Sequence, residues 1–314
     1  SEDKTNRLTS HNIDKAFSTL SGFEFPDPEV FPSPREGYRM RAEFRIWHTG
    51  SDLNYVMFEN SVPHKPFTVK VFPIASKTIQ QLMPKLLLRL KSEVALRTNL
   101  FQVEFLSTST GECLVTLVYR RVLDKSWEFA ATNLAKELNI FIVGRSRKKQ
   151  LVIGQDYVTE KFNIDGQFFI YRQYEQTFSQ PNFNINQRML GWASKVTSES
   201  HGDLLELYCG GGNFTLPLSK NFRRIIATEV SKRAILAAKE NIFLNGIANI
   251  DLVRMSASET SEALSRKRIF RRLNVLPQDL SRYELNTLLV DPPRSGMDVS
   301  SLEMASRFDQ IIYF

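Results

Sequence analysis

Two periodicities divide this chain. From Tyr38 to Ile46 apolar and polar residues alternate strictly, with Tyr38, Met40, Ala42, Phe44 and Ile46 on one face and Arg39, Arg41, Glu43 and Arg45 on the other. That pattern predicts a half-buried strand. Leu53–Phe58 and Phe67–Phe72 read as further strands. Ile79, Leu82, Leu86 and Leu90 recur at helical spacing and predict a helix over Lys77–Leu96. Phe101–Leu106 and Cys113–Tyr119 read as a hairpin around Ser109-Thr-Gly111, followed by a helix over Ser126–Leu138 and a strand over Ile140–Val143. An antiparallel sheet with helices, an α+β arrangement, accounts for this half.

A domain break is expected within 165–185, and beyond it strands and helices alternate. The helices read as 186–197, 213–221 and 231–245, and the strands as 204–208, 224–228, 250–254, 287–290 and 310–314. Such alternation predicts a doubly wound parallel sheet of Rossmann-like α/β class. The division expected is 1–175 and 176–314. A basic helical insert is expected over Glu259–Leu273. Its run Arg266-Lys-Arg-Ile-Phe-Arg-Arg272 reads first as a solvated helix face with Ile269 and Phe270 turned inward, and second as an RNA contact.

The chemistry concentrates in Leu204-Leu-Glu-Leu-Tyr-Cys-Gly-Gly-Gly-Asn-Phe214. An apolar strand runs into a glycine turn, and Asn213 is expected to open a helix whose free N–H groups face a ligand at the sheet's carboxyl edge. Glu229 ends the next strand, where an acidic residue accepts hydrogen bonds from a ribose diol; the alternative is a solvated glutamate capping the following helix. Asp291-Pro-Pro-Arg-Ser-Gly296 ends the fourth strand, and its prolines fix a turn from which Asp291 and Arg294 project. The turn is neither a dinucleotide fingerprint nor a phosphate loop, so a ligand with a ribose and no pyrophosphate fits best, with S-adenosylmethionine the candidate. In amino-group methyltransferases an aromatic residue usually follows Asp-Pro-Pro, and Arg294 stands there here.

Charge adds little on its own. Forty-one Lys and Arg against thirty-four Asp and Glu give +7, compatible with a polyanionic partner. The two cysteines, Cys113 and Cys209, lie too far apart for a metal-ligand spacing, so neither a metal nor an iron–sulfur cluster is expected. No apolar run reaches a membrane span of about 20 residues, and a reduced, cytoplasmic setting is expected.

Leu-Glu-Leu-Tyr-Cys-Gly-x-Gly-Asn-Phe, Asp-Pro-Pro-Arg-x-Gly, Phe178-Ser-Gln-Pro-Asn182 and Tyr38-Arg-Met-Arg-Ala-Glu-Phe-Arg-Ile-Trp47 together resemble the tRNA (uracil-5-)-methyltransferase family, TrmA type. The resemblance covers nearly the whole chain. It implies S-adenosylmethionine-dependent methylation of carbon 5 of the T-loop uridine of tRNA, giving 5-methyluridine. It implies cofactor contacts at Gln180, Tyr208, Asn213, Glu229 and Asp291, beside Gly210 and Gly212 of the turn. The first domain is then expected to hold the T-arm through Arg45 and Phe101, with Arg39 and Arg41 on the same face as Arg45. From pattern alone Phe101, alternating with Val103 and Phe105, reads as core. A monomer is expected.

In that family a cysteine thiolate adds to carbon 6 of the base before methyl transfer, and a general base then removes the carbon-5 proton. Cys209 is expected to pack against the sheet and Cys113 to be a small buried hydrophobe. The family's nucleophile lies in a Ser-Cys-Asn-Pro turn after the fifth strand, so both catalytic residues are expected beyond Phe314. The 314-residue chain is accordingly expected to be truncated, inactive alone and marginally stable, or else to bind tRNA without methylating it.

Overall fold

The computed structural model describes residues 29–50, 52–59, 65–147 and 149–314, and residues 33–314 form one compact unit. The opening residues 1–28 of the expected first domain lie outside the described residues.

A seven-stranded sheet occupies the first half, in the order β3-β2-β1-β4-β5-β6-β7. Its strands are β1 (Arg41–Thr49), β2 (Asp52–Phe58), β3 (Pro66–Thr68), β4 (Leu100–Ser107), β5 (Cys113–Tyr119), β6 (Phe141–Ser146) and β7 (Lys149–Ile153). Ala42, Phe44 and Ile46 are buried as the alternation predicts. The strand read over 67–72 shrinks to β3, because Val69 turns its side chain into the core after one last bond to the Tyr55 carbonyl, 2.8 Å. The sheet is not wholly antiparallel. Helix α3 (Lys125–Leu138) carries the chain across, so β5 and β6 pair in parallel.

The first helix is also shorter than its periodicity. Helix α1 (Lys77–Ser92) stops where Glu93 turns extended (φ −101°, ψ 107°), and the Glu93 carboxylate accepts from Ala95 N to start α2 (Val94–Arg97). Helices α1 and α3 cover one face of the sheet, burying Leu82, Leu86, Leu90 and Trp127 against Phe44, Val103 and Val115.

A hairpin of β8 (Tyr157–Ile164) and β9 (Gln167–Tyr174) follows, which the sequence reading left without elements. Val158 packs with Leu106, Leu114 and Val143 of the first sheet. Phe162, Ile164, Phe169 and Tyr171 instead share a core with Leu190, Leu204 and Ile225. The hairpin therefore touches both sheets.

The second half is the expected parallel α/β sheet, in the order β12-β11-β10-β13-β14. Its elements are α4 (Phe183–Val196), β10 (Asp203–Leu207), α5 (Thr215–Leu218), β11 (Arg224–Thr228), α6 (Lys232–Leu244), β12 (Ile250–Val253), α7 (Ala257–Leu264), β13 (Leu285–Val290), α8 (Val299–Ala305) and β14 (Gln310–Tyr313). Every β10 residue is buried, as a central parallel strand requires.

Two helical expectations fail. The helix after the glycine turn is only α5, capped by Phe214 and not Asn213, with a 3-10 turn over Ser219–Asn221. The expected basic helix ends at Leu264. Arg266 takes a left-handed φ of 55°, and the chain continues as loop and a 3-10 turn over Arg271–Val275. Phe270 is buried, but Ile269 points outward, 96% exposed.

Candidate functional site

The sheet order reverses around β10, whose neighbours are β11 and β13, and the glycine turn leaves β10 at that point. Ligands of open α/β sheets bind at such a switch. Tyr208 has φ 59°, Gly210 φ 54° and Gly212 φ 88°, so the backbone coils left-handed directly after the strand. At Gly212 a Cβ would fall 2.6 Å from Leu216 Cδ1, which excludes any side chain there without rearrangement.

Glu229 closes one side. Its carboxylate accepts from Gly210 N at 3.2 Å and from Ser231 N at 2.7 Å. It does not cap the next helix, because Ser231 does so by accepting from Ala234 N. Half-exposed and with acceptor capacity to spare, Glu229 can take hydroxyl donors from a ribose. On the other side Gln180 Nε2 donates to Asp291 Oδ2 at 3.0 Å, joining the segment before α4 to the end of β13. Burial holds the Asp291 carboxyl above its ordinary range, opposed by the Gln180 bond. Arg294 is exposed.

Asn213 does not open the helix. Its amide exchanges two hydrogen bonds of 2.9 Å with Asn186 on α4, and its carbonyl accepts from the Tyr171 hydroxyl at 2.9 Å. The turn is thus tied to α4 and to β9. A third tie comes from Asn241 on α6, whose Nδ2 donates to Gly211 O at 3.0 Å.

One residue was missed. Glu206, in the middle of β10, is 1% exposed, and its Oε2 has no hydrogen-bond partner in the protein. The neighbouring buried Thr215 hydroxyl faces that carboxyl and opposes the effect of its burial. Burial pushes the Glu206 carboxyl up to about 8, with the Asp291 charge adding to the rise. An acidic residue inside an otherwise apolar strand was the available signal. Glu229 and Asp291, flanking the coiled glycine turn with carboxylate oxygens, suit a ligand bearing hydroxyl and amino donors.

Neither thiol is placed for nucleophilic attack. Cys113 and Cys209 are both buried and free, as expected. Burial pushes the Cys113 thiol up to about 12, and also holds Cys209 well above its ordinary value, with Glu206 and Glu229 adding to the effect. Among the described residues no group of three or more His, Cys, Asp or Glu is placed to hold a metal ion. No described helix is long and apolar enough to cross a membrane.

On the first sheet the expected arginine row separates. Arg41 turns into the molecule and donates to Thr177 O at 2.7 Å and Tyr174 O at 3.3 Å, while Arg39 Nε donates to Arg41 O at 2.8 Å. Burial holds the Arg41 guanidinium below its ordinary value despite Glu104 and Glu175. These two arginines brace the fold. Arg45 does face outward, with its guanidinium 3.9 Å from the centroid of the Phe101 ring. Arg120 covers the ring from 3.8 Å as well. Phe101 is not core because the β4–β5 register slips between Leu100 and Gln102, leaving it as the extra residue of a β-bulge. A bulge re-aims its side chain. A groove of about 750 Å³ opens there, lined by Arg45, Trp47, His48, Phe58, Phe101 and Arg120 among others.

The model of the family described as tRNA (Uracil-5-)-methyltransferase matches residues 4–314. The chain belongs to this family. It is 50% identical over 294 residues to the tRNA/tmRNA (uracil-C(5))-methyltransferase of Pseudomonas entomophila, covering 94% of this chain and 81% of that protein. It is 47% identical to the Pseudomonas fluorescens protein of the same name, over 99% of this chain and 84% of the relative. The crystal structure of Pyrococcus abyssi tRNA (uracil-54, C5)-methyltransferase, in complex with S-adenosyl-L-homocysteine, shares the fold. Its TM-score is 0.65 at 18% identity, covering 95% of this chain and 71% of that one. Family membership agrees with the Rossmann-like α/β half read from the sequence.

Proposed function

We propose that this protein methylates carbon 5 of the T-loop uridine of tRNA with S-adenosylmethionine as donor. The observation that carries the reading is the braced glycine turn, flanked by Glu229 and the Gln180–Asp291 pair, in a member of the uracil-5-methyltransferase family. Relatives named for tRNA/tmRNA uracil-C5 methylation support the reaction and the class of RNA. When bound, the donor supplies an electrophilic methyl group on a sulfonium. Glu229 orients its ribose through carboxylate oxygens already fixed by Gly210 and Ser231. Tyr208 and Gln180 border it, and Asp291 holds a polar group at the mouth of the site.

The seven-stranded sheet is the RNA-holding half and the residues after 175 the donor-holding half. Phe101 offers a ring and Arg45 a guanidinium to an unstacked base and its phosphates. One guanidinium must leave the ring before a base can stack on it. The family chemistry requires a thiolate, and neither Cys113 nor Cys209 supplies it.

The assay is methyl transfer from labelled donor to unmodified tRNA, with the product nucleoside identified. The expected product is 5-methyluridine at the T-loop position, lost in Glu229→Ala through weaker donor binding. Label at any other atom, or none, refutes the reading. The burial of both thiols favours one second reading, a tRNA binder that does not methylate. It predicts T-arm binding without transfer in the same assay.

A further inference from the structure

We propose that the basic run between α7 and β13 is a second RNA contact, taking the phosphate backbone of the tRNA body outside the T-arm. The inference rests on the reading of the protein as a tRNA methyltransferase.

Arg266, Lys267, Arg268 and Arg271 are exposed, and among the described residues none makes an ion pair or a side-chain hydrogen bond. Three arginines elsewhere are held by carboxylates. Arg145 pairs with Glu175 at 2.5 Å, Arg223 with Asp203 at 2.6 Å, and Arg224 with Asp251 at 2.7 Å. The nearest carboxylate interaction in the run involves Asp279, which is engaged chiefly by Ser281 and lies in the field of Arg266. Four like charges within six positions repel one another, and a polyanion relieves that repulsion.

The loop is also anchored. Phe270 is buried with Leu205, Leu207 and Ile226, and Arg272 donates to Arg254 O at 2.8 Å and pairs with Glu259. The Arg268 guanidinium rests 4.8 Å from the Phe270 ring centroid. Cations presented from a fixed loop lose less freedom on binding than cations on a floppy one. Beside them a groove of about 770 Å³ runs over Leu273, Leu276 and Leu280, with Arg266 and Arg268 on its rim.

The run lies along the β12 flank of the second sheet, whereas Arg45 and Phe101 lie on the first. A T-arm hairpin held at the Phe101 groove on the first sheet would leave the run to other parts of the RNA.

The test measures the affinity of the full-length protein for whole unmodified tRNA and for an isolated T-arm hairpin, across a salt series. The variants are Arg266→Ser/Lys267→Ser/Arg268→Ser/Arg271→Ser combined, and separately Ile269→Asp, which changes a side chain with no packing role. Expected is a loss of about tenfold for whole tRNA in both variants. The log–log salt slope becomes shallower by about two to four in the quadruple variant, as loss of that many phosphate contacts requires. T-arm affinity stays at the wild-type value. Equal losses on both RNAs, or none on whole tRNA, overturn the inference. Wild-type protein that binds neither RNA overturns the methyltransferase reading beneath it.

Discussion

Asn241→Ala separates the bracing of the proposed donor site from the stability of the fold. Asn241, in the last turn of α6, and Asn245, which caps that helix, together imitate a strand against the free edge of β9. Asn241 Oδ1 accepts from Arg172 N at 2.8 Å, and Asn245 Oδ1 accepts from Ile170 N at 2.9 Å while its Nδ2 donates to Ile170 O at 2.7 Å. Only Asn241 also reaches the glycine turn, through Gly211 O at 3.0 Å. Either alanine leaves strand-edge groups unpaired, at a cost of about 2–4 kcal/mol. Asn241→Ala further frees Gly211 between two left-handed glycines, and one lost hydrogen bond of about 1–1.5 kcal/mol weakens donor-site affinity roughly tenfold. Calorimetric titration with S-adenosylhomocysteine, beside urea melts, checks this. Similar melts with a tenfold weaker Kd in Asn241→Ala and less than a twofold change in Asn245→Ala are expected. Equal affinity losses in the two variants refute the bracing argument.

Glu206 gives stability a pH dependence. Its folded value of about 8 against an ordinary 4.5 means the folded state holds a proton that the unfolded state releases, so this contribution is full below about 4.5 and is lost as pH rises through 8. The gap is worth on the order of 5 kcal/mol at most. Urea midpoints should fall between pH 5 and 8.5, and Glu206→Gln should flatten that fall; an unchanged slope in the variant refutes the assignment. Gly212→Ala, at φ 88° and against Leu216, should cost about 2–4 kcal/mol and abolish donor binding, read by the same melts and titration. Native protein should react with neither thiol toward a disulfide reagent until unfolded, and rapid labelling of Cys209 would contradict its burial.

The second sheet was legible because a parallel strand buried on both faces is a continuous apolar run, and its glycine turn follows directly. β11, read as Arg224–Thr228, has those bounds in the structure. The β8–β9 hairpin was not legible for the opposite reason. Its buried face carries Glu160 among Val158, Phe162 and Ile164, and that carboxylate is satisfied by Ser109 N at 2.8 Å, a partner 51 residues away. Likewise the parity that made Phe101 look like core holds only in an unbroken register, and the bulge breaks it. The basic run satisfied helical periodicity, but Arg266 turns left-handed, so its Ile269 and Phe270 point opposite ways and not together inward.

The same contrast governs the proposed donor site. Glu229, Asp291 and the glycines lie at strand ends, where the fold alone fixes their place, so their types and spacing sufficed to bring them together. What shapes the turn comes from elsewhere: Asn186 from α4, Tyr171 from β9 and Asn241 from α6 converge on Asn213 and Gly211. Tyr171 and Asn241 connect the turn to the hairpin, and Val158 of that hairpin packs on the first sheet. A perturbation of the first sheet therefore has a continuous packed route to the donor turn. Val158→Ala removes two methyl groups at a fully buried contact and touches neither donor nor RNA residue. If the route couples the halves, this variant lowers S-adenosylhomocysteine affinity along with stability, by about 1–2 kcal/mol for the latter. Donor affinity unchanged at that loss of stability would show that the hairpin joins the two sheets mechanically without coupling them.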